Sequence, residues 1–276
     1  MEMTDSLITI SNACFGYDST PVLKDISLSI NKGEIFCLMG RNGCGKSTLI
    51  DAILGINRLS SGQIKIMGKP LDHYTPSTLA KEISYVPQVH DKSFPYTVRQ
   101  VVLMGRTIYT GYFGTYSSSD RRLVEETMEK TGIAHLADRP YTQISGGEMQ
   151  MVMLARALVQ ETGIIIMDEP TSHLDYYNEL LFLEHVIGLI QKEHKTVLMA
   201  THSPNQPFFM EQAQVPIRVG LMKNGKISLV GTPTDILTSE NIQSVYSIDS
   251  TVIHCGTQSV LLPRQTITPT KEDKKE

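Results

Sequence analysis

The sequence has little of what marks secreted, membrane-spanning or nucleic-acid-coating proteins. Its four cysteines, at 14, 37, 44 and 255, form no C-x-x-C pair and no metal-ligand spacing, so reduced thiols are expected. No apolar run is long enough to span a bilayer, and Met1-Glu2-Met3-Thr4-Asp5 carries acids where a secretory signal would carry basic residues. The chain is therefore expected to be soluble and cytoplasmic. Basic charge is not in excess either: 25 Lys+Arg against 29 Asp+Glu give a net charge of −4, which argues against a nucleic-acid surface as the main partner. Apolar material is ample. With 276 residues and 41% hydrophobic content the chain can bury a full core, as one large domain or two small ones.

One stretch organises the rest. Gly40-Arg41-Asn42-Gly43-Cys44-Gly45-Lys46-Ser47-Thr48 spells G-x-x-x-x-G-K-S directly after Ile35 to Met39, which reads as a buried strand. Glycines there let backbone N–H groups turn inward around phosphate oxygens, and a helix opening at Lys46 points its positive dipole end at the same anion. Lys46 adds a full charge near the β- and γ-phosphates, and the Ser47 hydroxyl is a ligand type that suits Mg²⁺. Leu49, Ile50, Ile53 and Leu54 continue a helical period until Gly55 ends it. Cys44, inside the loop, reads as a small packed residue or as a thiol acidified by the helix terminus and Lys46.

Before this loop, Leu7, Ile8 and Ile10, then Ile26, Leu28 and Ile30 alternating with Ser27 and Ser29, predict an antiparallel edge sheet. Tyr17 lies between those strands, either as a packed strand aromatic or as a ring that stacks on a purine. After it, Ile64 and Ile66 alternate with polar neighbours, and Ile83 to Val86 forms a short strand that delivers Gln88. A glutamine there could hold a metal or the attacking water, or simply be solvated.

From 97 to 160 helical patterns take over: Val98, Val101 and Val102; then Leu123, Val124 and Met128, opened by Ser119-Asp120; then Val152, Leu154, Ala155 and Leu158. This predicts a helical insertion in an α/β core. At the base of its last helix Ser145-Gly146-Gly147-Glu148 is either an ordinary cap or an anion-holding helix N-terminus. A buried strand, Ile164 to Met167, then ends in Asp168-Glu169, where α/β sheets place ligands. Asp168 can hold the Mg²⁺ shell and Glu169 can polarise the water that attacks the γ-phosphate. A further buried strand, Thr196 to Thr201, delivers His202.

The order of phosphate loop, Gln88, Ser145-Gly146-Gly147-Glu148, Ile164 to Glu169, Ser172-His173-Leu174-Asp175 and His202 resembles the ATP-binding cassette (ABC) ATPase family, from residue 7 to about 253. The four-residue signature is the most specific part. The resemblance implies a P-loop NTPase core with an antiparallel edge sheet and a helical subdomain at about 97–160, over a domain 4–255, with a C-terminal extension 256–276 ending in a charged tail. It implies ATP and Mg²⁺ as ligands. Gly40, Asn42, Gly43, Cys44, Gly45, Lys46, Ser47 and Thr48 would hold the phosphates, Tyr17 would stack on adenine, and Ser47, Gln88 and Asp168 would serve the metal. Glu169, His202 and Gln88 would be catalytic. Two copies would pair head to tail, Ser145, Gly146 and Gly147 closing over ATP held by the other copy's Lys46, with Asp175 crossing the interface. Two polytopic permease subunits, and indirectly an extracytoplasmic binding protein, would complete the assembly at the cytoplasmic face of the membrane.

Some positions depart from the family pattern. Glu148 replaces the commonest glutamine, Met149 and Met151 stand where basic residues are frequent, Ser203 follows the histidine where an acid is usual, and 204–218, with three prolines, fits poorly. Val102 to Arg106, and Gly231-Thr232-Pro233 through Val245-Tyr246, resemble importer ATPases for iron chelates and cobalamin, so a ferric siderophore, haem or cobalamin cargo is expected. Alternatives are another cargo, or a scaffold ATPase of a soluble iron–sulfur assembly complex. A DNA-repair ABC ATPase would need a heptad insertion, and a translation-type protein would need two cassettes; neither is present.

Overall fold

Five consecutive apolar residues, Ile35–Met39, form a strand buried along its whole length, which is the pattern of a strand covered on both faces. The computed structural model that contains it describes residues 6–18, 20–88, 95–110, 114–256 and 258–267. Its elements in chain order are β1 (Ser6–Tyr17), β2 (Thr20–Asn31), β3 (Ile35–Met39), α1 (Lys46–Ile53), β4 (Ser61–Ile66), β5 (Lys69–Pro70), α2 (Pro76–Leu79), β6 (Ile83–Val86), α3 (Val98–Leu103), α4 (Ser118–Lys130) and α5 (Gly146–Leu158). There follow β7 (Ile164–Asp168), α6 (Tyr176–Glu193), β8 (Thr196–Thr201), α7 (Asn205–Gln212), β9 (Ile217–Lys223), β10 (Lys226–Gly231), α8 (Pro233–Ile236), α9 (Ser239–Tyr246), β11 (Ile248–Cys255) and β12 (Gln258–Thr266). The chain divides into two units: one holds the chain up to Leu71 and from Met199 onward, the other is Asp72–Leu198. The division falls inside β8.

In the first unit β3 runs parallel to β9, Ile35 opposite Ile217 and Met39 opposite Leu221, and β10 folds back antiparallel on β9. A second sheet has the order β2-β1-β4-β5 and is antiparallel throughout. Its period-two pattern is the expected one: Ile26, Leu28, Ile30, Ile64 and Ile66 are buried, while Lys24, Asp25, Ser27 and Lys65 face solvent. An ion pair fastens this region. Arg218 donates from Nε to Glu34 Oε2 at 2.9 Å and from a terminal nitrogen to Glu34 Oε1 at 2.6 Å, a two-pronged pairing that suits a planar guanidinium.

The C-terminal hairpin β11–β12 also belongs to this unit. Asn205, opening α7, accepts from the Leu261 N–H at 2.8 Å and donates to its carbonyl at 3.3 Å, so a side-chain amide completes the ladder of β12. The division placed after Cys255 from the sequence therefore falls in the turn of a continuous hairpin, and the tail from Lys271 lies outside the described residues. Residues 204–218 hold α7 and lead into β9, with Pro207 in the first turn of α7, where a missing N–H breaks no helical hydrogen bond.

The second unit pairs β6 with β7 in parallel, Ile83 opposite Ile164 and Val86 opposite Met167. Helices α3, α4 and α5 open on reciprocal caps: Thr97 with Gln100, Ser117 with Asp120 and Ser145 with Glu148. The cap of α4 is thus Ser117, two residues earlier than the sequence pattern suggested, because Asp120 is the third helical residue and reaches back to the Ser117 N–H at 2.9 Å. Arg106 ties the start of α4 to the end of α5. It donates to Asp120 Oδ1, to the Val159 carbonyl and to Glu161 Oε2, each at 2.7 Å, and lies 4.0 Å over the Tyr109 ring. Met151 is buried in this unit.

Candidate functional site: a phosphate loop and a signature helix

The first unit carries the loop between β3 and α1. Gly45 caps α1 with φ 111°, a conformation costly for any residue with a Cβ, and Gly43 also has positive φ at 80°. Gly40 is needed for space: a Cβ there would collide with the Met222 carbonyl, and would stand 2.7 Å from the Cys44 sulfur. A Cβ on Gly45 would stand 2.8 Å from the Met222 methyl. The loop is thus pressed on β9 through bare α-carbons. The turn after β9 adds a bond, the Gly225 N–H donating to the Cys44 carbonyl at 3.1 Å, while Lys24 N–H donates to the Gly225 carbonyl at 2.8 Å. Met222 and Gly225 are supports that reading the motif alone missed; the Asn224-Gly225 pair, a two-residue hairpin signal, would have located the turn but not its contact.

Lys46 is buried, and its Nζ donates to the Gly40 carbonyl at 2.9 Å, spanning the loop. Arg41, Asn42, Gly43 and Ser47 are exposed and Thr48 is half-buried. A cradle of this kind, with bare glycines, a lysine across its mouth and a helix N-terminus behind, fits a polyphosphate. Tyr17 is 54% exposed at the end of β1, edge-on to Phe15 with ring centroids 5.0 Å apart. Its hydroxyl accepts from Asn57 Nδ2 at 3.4 Å, so the tip is tethered while more than half of the residue stays open to solvent. His202 is exposed in the turn after β8. The Thr201 hydroxyl shapes that turn, donating to Gln206 Oε1 at 2.6 Å and accepting from the Ser203 N–H at 3.1 Å.

The second unit carries the acids and the signature. Asp168 closes β7 and is buried, Glu169 follows it, and Gln88 Nε2 donates to Glu169 Oε2 at 3.3 Å. Glu169 is left-handed, φ 45°, which costs a non-glycine residue about 1–2 kcal/mol and turns the chain sharply at the strand end. Ser145 is exposed and caps α5, accepting from Glu148 N–H, while Glu148 accepts from the Ser145 N–H at 2.8 Å. Those bonds hold the Glu148 carboxyl below its usual range. Asp175 caps α6 and both of its oxygens accept from Asn178, from the backbone N–H at 2.9 Å and from Nδ2 at 2.8 Å, which lowers its pKa likewise. Asn178 was not anticipated; as the third residue after an N-cap aspartate, it is placed where such a bond forms.

Gathered in one unit, then, are Tyr17, the loop 40–48 and His202; gathered in the other are Gln88 with Glu169, and the signature with Asp175. Among the described residues no cluster of three His, Cys, Asp or Glu could bind a metal on its own. The oxygen donors of Ser47, Gln88 and Asp168 are of the hard type that Mg²⁺ takes.

A family profile described as "ABC transporter" matches residues 23–172, which include the loop, Gln88, the signature and the acids of β7. The chain belongs to the ABC transporter family. Its ABC chain is 34% identical over 242 residues to the molybdate import ATP-binding protein of Haemophilus influenzae, covering 87% of this chain and 88% of that one. It is 32% identical over 238 residues to the iron(3+)-hydroxamate import ATP-binding protein of Bacillus subtilis, covering 86% and 87%. A solved inward-facing structure of a metal-chelate type ABC transporter superposes with a TM-score of 0.81 at 31% identity, over 94% of this ABC chain and 98% of that one. The fold class read from the sequence, a P-loop NTPase core with an antiparallel edge sheet and helices, agrees with this neighbour. No helix among the described residues is long and apolar enough to cross a membrane.

Proposed function

We propose that this ABC chain hydrolyses ATP to energise import of a metal chelate of the siderophore, haem or cobalamin type. The observation that carries hydrolysis is the Gln88–Glu169 contact, which aims a carboxylate beside the buried Asp168 at the end of a parallel strand. Glu169 takes a proton from water as the water oxygen attacks the γ-phosphorus; the bond to the bridging oxygen breaks and ADP leaves. Lys46 exchanges the Gly40 carbonyl for phosphate oxygens, and His202 contacts the γ-phosphate. Tyr17 offers its open face to adenine. Ser47, Gln88 and Asp168 would hold Mg²⁺, which neutralises phosphate charge when bound.

In this reading two copies pair head to tail. The Ser145 hydroxyl and the N–H groups of Gly146 and Gly147 then close over the triphosphate on the partner's loop, a symmetric arrangement that places two composite sites in one dimer. The pair works beneath two polytopic permease subunits at the cytoplasmic face, fed by an extracytoplasmic binding protein. Support for the cargo comes from the similarity to the hydroxamate importer and the metal-chelate transporter structure. The similarity to the molybdate importer favours an oxyanion as the second reading. Uptake of labelled ferric hydroxamate, haem, cobalamin and molybdate by cells with and without the chain separates them. Loss of chelate uptake alone supports the first reading, and loss of molybdate uptake alone replaces it.

A further inference from the structure

Asn178 stands between two segments that are distant in sequence. On one side its backbone N–H and its Nδ2 occupy both carboxylate oxygens of Asp175, at 2.9 and 2.8 Å. On the other side its carboxamide lies flat against the signature: a Cβ added to Gly147 would come 2.8 Å from Asn178 Cγ, 2.9 Å from Nδ2 and 3.1 Å from Oδ1. Gly147 is not among the glycines with positive φ, so its lack of a side chain answers to space and not to backbone conformation. The neighbouring glycine makes a looser parallel contact, since a Cβ on Gly146 would lie 3.8 Å from the His173 carbonyl. The start of α5 thus lies against the turn before α6 and against the first turn of α6 itself, with one polar side chain at the tighter contact.

We propose that Asn178 is a positioning residue that locks Asp175 and the signature turn into one rigid body, so that both meet the opposing subunit in a single fixed relation. The proposal rests on the head-to-tail pairing above and adds to it a residue outside every motif. Its physical reason is ordering. Two segments that moved independently would each have to be immobilised when the dimer closes, and that ordering opposes closure. Held together beforehand by Asn178, they are ordered once, during folding. The carboxamide suits the task because it can donate to a carboxylate on one side and present a flat, uncharged face to a glycine on the other.

The test is a double-mutant cycle on the full chain, read by steady-state ATP hydrolysis and by nucleotide affinity. Asn178→Ala keeps the main-chain N–H that caps α6 but removes both carboxamide contacts. We expect kcat to fall about tenfold, with the nucleotide affinity of the isolated chain unchanged, because contacting residues couple while distant ones do not. Gly147→Ala alone places a methyl group against the carboxamide and should lose more. In the double variant the methyl occupies the space vacated by Asn178, and activity should recover about tenfold relative to Gly147→Ala. Asn178→Asp, nearly identical in shape, tests the polar half, since its carboxylate repels Asp175; it should match Asn178→Ala in kcat. Multiplicative effects of Asn178→Ala and Gly147→Ala, or wild-type turnover in Asn178→Ala and Asn178→Asp, would overturn the proposal. A wild-type chain whose Glu169→Gln variant stays monomeric with ATP would instead remove the pairing reading, so the two failures are distinct.

Discussion

Gln88 and Glu169 meet side chain to side chain: the amide Nε2 of one donates to Oε2 of the other at 3.3 Å. The bond joins the residue two beyond β6 to the residue just beyond β7, and it exists because these strands are parallel and in register, Val86 opposite Met167. An amide donor orients the carboxylate, as a proton acceptor requires.

Glu169→Gln should therefore retain ATP binding while kcat falls by roughly 10²–10⁴, the range for loss of a general base. Gln88→Ala should give a smaller drop, since the base survives without its guide. Phosphate release and equilibrium binding of a fluorescent ATP analogue separate the two effects; unimpaired turnover in Glu169→Gln would dismiss it as the base.

Lys46→Ala acts at an earlier step. The ammonium now bonded to the Gly40 carbonyl is the charge that meets the triphosphate, so its removal should weaken nucleotide binding itself, with a fall in kcat/KM. Isothermal titration with ATP checks this, and unchanged affinity would count against the loop as the phosphate site.

Gly45→Ala should damage stability and binding together. At φ 111° an alanine is strained by about 1–3 kcal/mol, and its methyl group would stand 2.8 Å from the Met222 methyl. Thermal unfolding with and without nucleotide should show a lower midpoint in both cases and a smaller ATP-induced rise.

Tyr17→Ala should raise the nucleotide Kd roughly tenfold, within the range of base stacking lost on truncation. Tyr17→Phe keeps the ring and loses only the long bond from Asn57, so its affinity should stay close to that of the natural chain.

Acid should loosen the helical unit through Asp120. Bonds from the Ser117 hydroxyl and the Arg106 guanidinium bring its pKa down from 3.8 to about 2. A carboxyl depressed in the folded state contributes stability that is complete above its unfolded value near 3.8 and is lost as the pH falls through about 2. Asp120→Asn should flatten the stability–pH curve over that window, measured by denaturant unfolding at a series of pH values.

What the sequence determined by itself was local. The loop and its strand were legible because G-x-x-x-x-G-K-S follows five apolar residues, and because φ 111° at Gly45 is a demand that a single residue states. The limits of β3 and β8 were likewise readable, since near-continuous apolar runs have only one economical place in an α/β core, and those of β6 because Pro87 ends it. The tertiary structure alone decided which distant residues touch: Met222 against Gly40 and Gly45, Gln88 against Glu169, Asn178 against Gly147, and Asn205 completing β12. None of these pairs has a spacing that local geometry dictates. They follow from strand register and from which helix packs on which, and such contacts form only when the whole core is assembled, because each is too weak to order its own segments.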